Sequence, residues 1–236
     1  MKRLAAITFS ILISLQSFAF EGHQVWDRLL KGNVNEIGEV DYKGFYKNQK
    51  ELDAYLQLLS ESVPDESWER AEAMAYWINA YNAFTVKLIL NTYPVESIMD
   101  INDGKAWDLK FFELGGEKYS LNQIEHEILR PTYQDARIHF AVNCASFSCP
   151  ILLNQAYTAE NLEKLLDQQA QYFINNIDKN SISADKVEIS KLFEWYAEDF
   201  TKEGSLIEFL NQYSNTQINP SAKVEFKEYS WKLNEK

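Results

Sequence analysis

One long apolar segment, WERAEAMAYWINAYNAFTVKLILNTYP, limits the possible folds of this chain more than any other feature. It covers residues 68–94 and contains no helix-breaking residue before its final proline. Within residues 73–86 the only strongly polar side chains are those of Asn79 and Asn82. A helix that is apolar on nearly every face is buried in the centre of its domain. The segment therefore predicts a long central helix.

The two asparagines of this helix are three residues apart and so share one face. A buried amide left without a hydrogen bond costs about 1–3 kcal/mol. We therefore expect Asn79 and Asn82 to bind a neighbouring loop or to line a site, with at least one acting as a structural clamp. Trp77 and Tyr81, on the same helix, are candidate ligand-binding residues.

Shorter elements surround this helix in the sequence. Apolar spacing and flanking breakers predict helices over 25–32, 48–62, 121–130, 158–176, 191–200 and 205–213. Strands are predicted over 136–142, 186–190 and 223–233, with a Gly-Gly hairpin within 111–121. Ser120 and Gln123 predict a capping box for a helix that Pro131 ends. The pattern indicates an α+β fold, with the long buried helix packed on a small antiparallel or mixed sheet.

The first residues have the pattern of a secretory signal peptide. Lys2 and Arg3 precede an uncharged apolar run over 4–18, and small side chains allow a cut after Ala19. This predicts a signal peptide over 1–19, a single globular domain over 20–236, and a periplasmic or secreted bacterial protein. The run is too short to span a bilayer, and no second long apolar run follows, so no membrane insertion is expected after cleavage.

The net charge excludes one class of partner. The chain carries a formal charge of −12, and the predicted leader contains two of its basic residues. A protein that binds nucleic acid or anionic lipid needs a basic patch, and the sequence has none. We therefore expect neither partner and interpret the acidic surface as a source of solubility.

Residues 139–150, HFAVNCASFSCP, contain both cysteines and one of the three histidines. A catalytic thiol must ionise, and a neighbouring imidazole or a helix N-terminus lowers its pKa. Cys144 follows a predicted strand at a turn where a helix could begin, which suits a nucleophile. His126 or His139 is the candidate base, although His139 on an extended strand would lie too far along the chain for direct contact.

Other polar residues complete the predicted site. Asn79 or Asn82 is a candidate to orient the imidazole or to donate to an oxyanion. Glu125 belongs to the same polar cluster, but adjacent helical residues point apart, so it is poorly placed to orient its neighbour. Asn143 and Ser146, beside the cysteine, are further candidate ligand-binding residues.

Three alternatives to a catalytic thiol follow from the polar residues of the chain. Cys144 and Cys149 could pair as a disulfide in an oxidising compartment. His126 and His139 with the two cysteines could supply four zinc ligands, but their spacing matches no standard site, so no metal or cofactor is expected. Glu194 and Glu198 lie four residues apart, as the carboxylate pair of a glycoside hydrolase could, but a solvated helix face explains them equally well. The neighbouring Trp195, Tyr196 and Phe200 are expected to pack in the core.

Five segments carry a resemblance to a known family. In chain order they are AYWINAYNAFTVKLIL, YSLNQIEHEILR, RIHFAVNCASFSCP, ISKLFEWYAEDF and YSWKLN. Over roughly residues 68–233 the chain resembles the family catalogued as domain of unknown function 547 (DUF547), which has no established activity. Relatives occur in secreted bacterial proteins and in larger eukaryotic proteins. A motif also used in a reducing compartment cannot depend on a disulfide, so the resemblance implies a free thiol at Cys144.

A looser similarity, in outline only, is to the papain and transglutaminase-like architecture. There the nucleophile usually begins the central helix, whereas here that helix contains asparagines and no cysteine. A shared fold would imply either a site rearranged around Cys144 or loss of the ancestral chemistry.

The sequence supports two hypotheses about function. One is a thiol-dependent hydrolase or acyltransferase that acts through Cys144 on an amide or acyl group of a small molecule or peptide. The other is a non-catalytic binding or interaction module with a buried polar network and a Cys144–Cys149 disulfide.

Overall fold

The computed structural model describes Phe20 and residues 22–236. The signal peptide predicted over 1–19 lies outside the described residues and stays a prediction. No helix in the described part is both long enough and apolar enough to cross a bilayer.

The fold is α+β and rich in helices, as predicted. The α-helices are α1 (His23–Asn33), α2 (Tyr42–Lys47), α3 (Gln49–Glu61), α4 (Arg70–Thr92), α5 (Arg130–Tyr133), α6 (Ile138–Ala141), α7 (Leu162–Asn175), α8 (Leu192–Trp195), α9 (Ala197–Phe200) and α10 (Leu206–Tyr213). Short 3₁₀ turns cover Ile98–Asp100, Asn102–Gly104 and Ala106–Asp108, and a π-helical segment covers Gln123–Leu129.

The strands form two small sheets. They are β1 (Phe112–Leu114), β2 (Glu117–Tyr119), β3 (Ser181–Ile182), β4 (Lys186–Ile189) and β5 (Lys223–Phe226). The first two form the predicted antiparallel hairpin, whose Gly115 and Gly116 both adopt positive φ. In the second sheet β4 pairs antiparallel with β3 and in parallel with β5, so this sheet is mixed.

The long apolar segment forms the predicted central helix, α4. Helices α1, α2 and α3 pack around it, and Phe84 of α4 stacks on Phe112 of the hairpin with ring centres 3.8 Å apart. The residues over 74–86 are all buried. The continuous apolar surface of the sequence is therefore explained by neighbours on every side.

Two hydrophobic clusters make up the core, and α6 lies between them. Ile138 and Ala141 pack in the larger cluster, which contains α4. Phe140 packs in the smaller one, with α7, α10 and the mixed sheet. Consecutive residues of one helical turn thus connect both clusters.

The strand predicted over 136–142 is wrong, because residues 138–141 within this range form the helix α6. A short apolar run can be a buried strand or a buried helix, and its periodicity does not distinguish them. The helical choice is favoured by Asp135, whose carboxylate accepts from the backbone N–H of Arg137 at 2.9 Å and also binds its guanidinium. In the turn that results, His139 contacts Asp199 and the ring of Tyr196.

The prediction that Pro131 ends the preceding helix is also wrong. The Ser120–Gln123 capping box is present. The helix passes through the π-helical segment and continues beyond Pro131 to the end of α5. Proline is tolerated in the first turn of a helix, and Pro131 occupies such a position in α5. The helix ends instead at Gln134, which adopts the left-handed conformation.

Two more predicted elements are interrupted. The helix predicted over 191–200 breaks at Tyr196 into α8 and α9. The terminal strand predicted over 223–233 ends at Phe226, and the residues after it form isolated bridges with residues 97 and 146. Both breaks bring aromatic side chains to one cavity.

The two asparagines of α4 are both clamps on loop backbone. Asn79 donates to the carbonyl of Tyr157 at 2.7 Å and accepts from its N–H at 3.1 Å. Asn82 donates to the carbonyl of Ala141 at 2.9 Å and accepts from the N–H of Asn143 at 2.8 Å. Each amide therefore satisfies two backbone groups that are buried away from water.

We predict that Asn79→Ala and Asn82→Ala each lower the free energy of unfolding by about 1–3 kcal/mol, because each leaves buried backbone groups unpaired. Urea unfolding followed by circular dichroism measures this. Asn91→Ala, at an exposed position on the same helix, is the matched control and should change stability by less than about 0.5 kcal/mol. Equal effects at all three positions would contradict the clamp role.

Candidate active site

The loop over 143–150 carries the cysteines and is held at both ends. Asn82 fixes its start, and the side chain of Asn143 donates to the carbonyl of Pro150 at 2.7 Å. The Asn143 oxygen also accepts from the N–H of Ala145 at 3.0 Å. This bond holds Ala145 in the left-handed region, at φ 60°, which residues with a side chain seldom adopt. The strain falls on the residue directly after Cys144.

A segment over 229–234 closes the same loop from the other side. Phe147 donates its backbone N–H to the carbonyl of Lys232 at 2.6 Å, and Asn234 donates its own to the carbonyl of Ala145 at 3.1 Å. The N–H of Ser230 donates to the Ser148 hydroxyl at 2.9 Å. The cysteine loop is therefore positioned by residues far away in the sequence.

The half-buried thiol of Cys144 lies among hydroxyl groups. Its sulfur is 3.2 Å from the Ser146 hydroxyl and 3.3 Å from the Tyr229 hydroxyl, and Ser146 donates to Tyr229 at 2.9 Å. Burial raises the pKa of Cys144, but hydrogen bonds from Cys149, Ser146 and Tyr229 outweigh it and lower the pKa to about 7. These contacts favour the thiolate form of Cys144.

Cys149 is a buried neighbour with the opposite tendency. Its sulfur accepts from the backbone N–H of Cys144 at 2.9 Å. Burial raises the pKa of the Cys149 thiol, and its hydrogen bond with Cys144 raises it further. Both cysteines are free thiols in this structure, which does not contain the alternative disulfide.

No helix begins at Cys144, contrary to expectation. Residues 142–144 have no regular secondary structure, and the turn that follows is not helical. The thiol's pKa is lowered by neighbouring hydroxyl and thiol groups, and a helix dipole contributes nothing from this loop.

The thiol faces a cavity of about 150 Å³ between the two hydrophobic clusters. It is lined by Tyr81, Trp107, Asn122, Glu125, His139, Val142, Cys144, Cys149, Leu192, Trp195, Tyr196, Tyr229 and Trp231. Three sequence-predicted candidates, Cys144, His139 and Glu125, therefore share one space. Tyr81, a candidate ligand-binding residue, also lines this cavity.

His139 is oriented by a carboxylate. Its Nε2 lies 2.7 Å from an oxygen of Asp199, which also accepts from Nε of Arg130 at 2.6 Å. The imidazole stacks on the ring of Tyr196 with centres 3.8 Å apart. Burial would raise the pKa of Asp199, but the hydrogen bonds from His139 and Arg130 hold it well below its usual range. Asp199 is thus ionised and fixes the ring of His139.

His126 is placed differently from His139. Its side chain is 39% exposed, its Nδ1 contacts a guanidinium nitrogen of Arg130 at 2.8 Å, and it does not line the cavity. Glu125 is buried and accepts from the Tyr196 hydroxyl at 2.5 Å, with His126 Nε2 at 3.9 Å from its oxygen. Of the two candidate bases, the structure brings His139 to the thiol's cavity.

The remaining candidates have structural contacts. Asn79 and Trp77 lie outside the cavity, the first bound to Tyr157 and the second packed against Tyr76. Asn82 acts on the cysteine loop through the backbone. Asn143 and Ser146 shape that loop, and of these two only Ser146 is within hydrogen-bond distance of the sulfur.

Sequence reasoning missed several residues of the cavity. Asp199 was not singled out at all, and Trp195 and Tyr196 were expected to be core packing, whereas Trp195 is 46% exposed at the cavity. Glu194 and Glu198 are exposed, as a solvated face requires. Trp195, Tyr196 and Asp199 lie in the motif EWYAEDF, and Tyr229 and Trp231 lie in YSWKLN. Both motifs supported the family resemblance, but the sequence alone assigned these residues no role in a site.

In the part of the chain that the structure describes, no three or more His, Cys, Asp or Glu side chains are arranged to hold a metal ion. The four donors considered for zinc do not share one site, since His126 does not line the cavity that His139, Cys144 and Cys149 line.

Comparison with known proteins gives one match. The family model described as "Protein of unknown function, DUF547" matches residues 66–174, which confirms the resemblance predicted from the motifs. No curated protein and no solved structure matches the chain. The outline similarity to papain-like proteins therefore stays a prediction.

We predict that Tyr229→Phe raises the pKa of Cys144 from about 7 toward the ordinary thiol range, because it removes a donor that stabilises the thiolate. The pH dependence of iodoacetamide alkylation, with the labelled peptide mapped by mass spectrometry, measures the pKa. The alkylation midpoint should move to higher pH in this variant and stay in place in Tyr46→Phe, whose ring is exposed. A shared midpoint would show that the Tyr229 hydroxyl does not act on the sulfur.

Proposed function

Residues 66–174 belong to the family described as Protein of unknown function, DUF547, and because that description names no reaction, we propose a function from the cavity itself. The protein is a thiol-dependent hydrolase or acyltransferase that acts on an amide or acyl substrate. The observation that carries this proposal is the shared cavity: an ionisable thiol, Cys144, lines the same cavity as an imidazole, His139, that a carboxylate orients.

The roles of the two groups follow from their contacts. The Asp199 carboxylate can only accept, so Nε2 of His139 carries the proton and Nδ1 remains to accept one. Within the described part of the chain Nδ1 has no hydrogen bond, and none joins the imidazole to the sulfur. Such bonds often form only when substrate is present. The proposal requires a substrate carbonyl that binds in the cavity lined by both groups.

The chemistry is acyl transfer in two steps. The Cys144 thiolate attacks the carbonyl carbon, the carbonyl electrons move to oxygen, and the tetrahedral intermediate collapses with loss of the amine or alcohol. His139, which has accepted the thiol proton, gives that proton to the leaving group. Water, or an acceptor amine or alcohol, then attacks the thioester as His139 removes its proton, and the thiolate leaves.

Asp199 and Asn82 are positioning residues in this scheme. Asp199 holds the imidazole in one tautomer and stabilises the imidazolium that forms. Asn82 joins α4 to the backbone on both sides of Val142, and so sets the distance between α6 and the thiol.

We predict a burst of p-nitrophenol, at most one equivalent per protein, when the chain reacts with p-nitrophenyl acetate. Cys144→Ala should remove the burst, His139→Ala should slow acylation by about 10²–10⁴-fold, and Asp199→Asn by at least about tenfold. Glu198→Gln, an exposed change beside Asp199 in α9, is the matched control and should behave as the wild type.

Two results would contradict the enzyme. A burst that survives in Cys144→Ala would remove the thiol from the mechanism. A native protein without a free thiol before reduction, and without a burst, would favour the binding module with a Cys144–Cys149 disulfide.

We also propose that the protein acts in the bacterial periplasm or outside the cell, because residues 1–19 have the pattern of a signal peptide. Expression of the full chain in a bacterium, followed by fractionation and intact-mass measurement, should recover a form that begins at Phe20. A full-length cytoplasmic product would contradict this location.

A further inference from the structure

The cavity that holds Cys144 has an unbalanced set of charges. Among the residues that the structure describes, no lysine or arginine lines it, and the one carboxylate in its lining is that of Glu125. An anionic ligand, such as a carboxylate or phosphate, would be repelled by this group, and the His139 imidazole there carries a positive charge only while it is protonated. The cavity therefore selects against negative charge close to the thiol.

Glu125 lacks a bonded cation among the described residues. The guanidinium of Arg130 is hydrogen-bonded to Asp199, and the nearest basic atom to Glu125 is Nε2 of His126, 3.9 Å away. Its hydrogen-bond donor is the neutral hydroxyl of Tyr196. A buried carboxylate is costly unless it is paired, so this group is suited to receive a cation from outside the chain.

Aromatic rings form much of the remaining wall. Trp195 stacks on Trp231 with ring centres 5.7 Å apart, and Tyr229 lies 4.8 Å from Trp195 and 4.6 Å from Trp231. Trp107 contacts Trp231 at 5.6 Å. The faces of such rings attract ammonium groups, most strongly where water is excluded.

The size of the cavity limits what can enter. A volume of about 150 Å³ is comparable to that of an apolar protein cavity that binds benzene. The space at the thiol thus accepts a short group of a few heavy atoms, and a longer substrate would extend past the half-exposed Trp195 into solvent.

From this charge, these rings and this volume we propose that the substrate carries an ammonium group close to the acyl or amide carbon attacked by Cys144. The Glu125 carboxylate and the faces of Trp195 and Trp231 bind that ammonium group. This inference rests on the proposed function and names its substrate class, an amine-bearing amide or ester. The net charge of −12 favours the approach of such a cation from solution.

Thiol reagents of different charge test this site without requiring turnover. We would compare 2-aminoethyl, methyl and 2-sulfonatoethyl methanethiosulfonate, which are cationic, neutral and anionic. In each reaction the thiolate attacks the sulfenyl sulfur, a mixed disulfide forms and methanesulfinate leaves. Rates at Cys144, assigned by peptide mapping and divided by the rates for free cysteine, report recognition by the cavity.

After this normalisation we expect the cationic reagent to react at least about tenfold faster than the anionic one. Glu125→Gln keeps the size and a hydrogen-bond acceptor but removes the charge, and should reduce this preference to about threefold or less. Glu127→Gln, an exposed carboxylate in the same π-helical segment, removes the same charge from the surface and should leave the preference unchanged.

The outcomes separate the two proposals. Reaction with all three reagents at similar normalised rates, or an equal effect of both glutamine variants, overturns the ammonium site and leaves the thiol enzyme standing. Failure of Cys144 to react with any reagent, in a protein whose melting temperature is normal, overturns the enzyme and with it the ammonium site.

Discussion

The hydrogen bonds from Asn82 to the backbone of Ala141 and Asn143 connect the centre of the fold to its chemistry. The amide lies in a helix that is buried along most of its length, so it has no water to bind and must use the chain. By holding residues on both sides of Val142, it fixes the place where α6 ends and the cysteine loop begins. The positions of both His139 and Cys144 depend on this one side chain.

Features with a local cause were predictable from the sequence. The central helix was evident because its apolar surface is continuous, and the hairpin because two glycines permit its turn. The strand predicted around His139 is wrong, because a short apolar run can pack equally well as a helix or as a strand. The helical choice there depends on Asp135 and on two hydrophobic clusters that only the folded chain brings together.

The site was predictable in part for the same reason. A cysteine beside an asparagine and a serine indicated chemistry, and the structure brings His139 to its cavity. The pairing of His139 with Asp199, sixty residues apart, is tertiary, as is the contact of Tyr229 with the sulfur. Neither contact produces a recognisable spacing of residues in the sequence. Trp195 was likewise interpreted as a core residue, although it lines the cavity.

The return of residues 229–234 to the cysteine loop has a consequence for biosynthesis. A growing chain that has reached residue 175 on the ribosome already contains the central helix, the cysteine loop and α7. It still lacks Asp199, the phenol of Tyr229 and the backbone that clasps Ala145. Until Tyr229 emerges, the Cys144 sulfur lacks one of the hydroxyl groups that lower its pKa, so this contribution arises only after translation has passed residue 229.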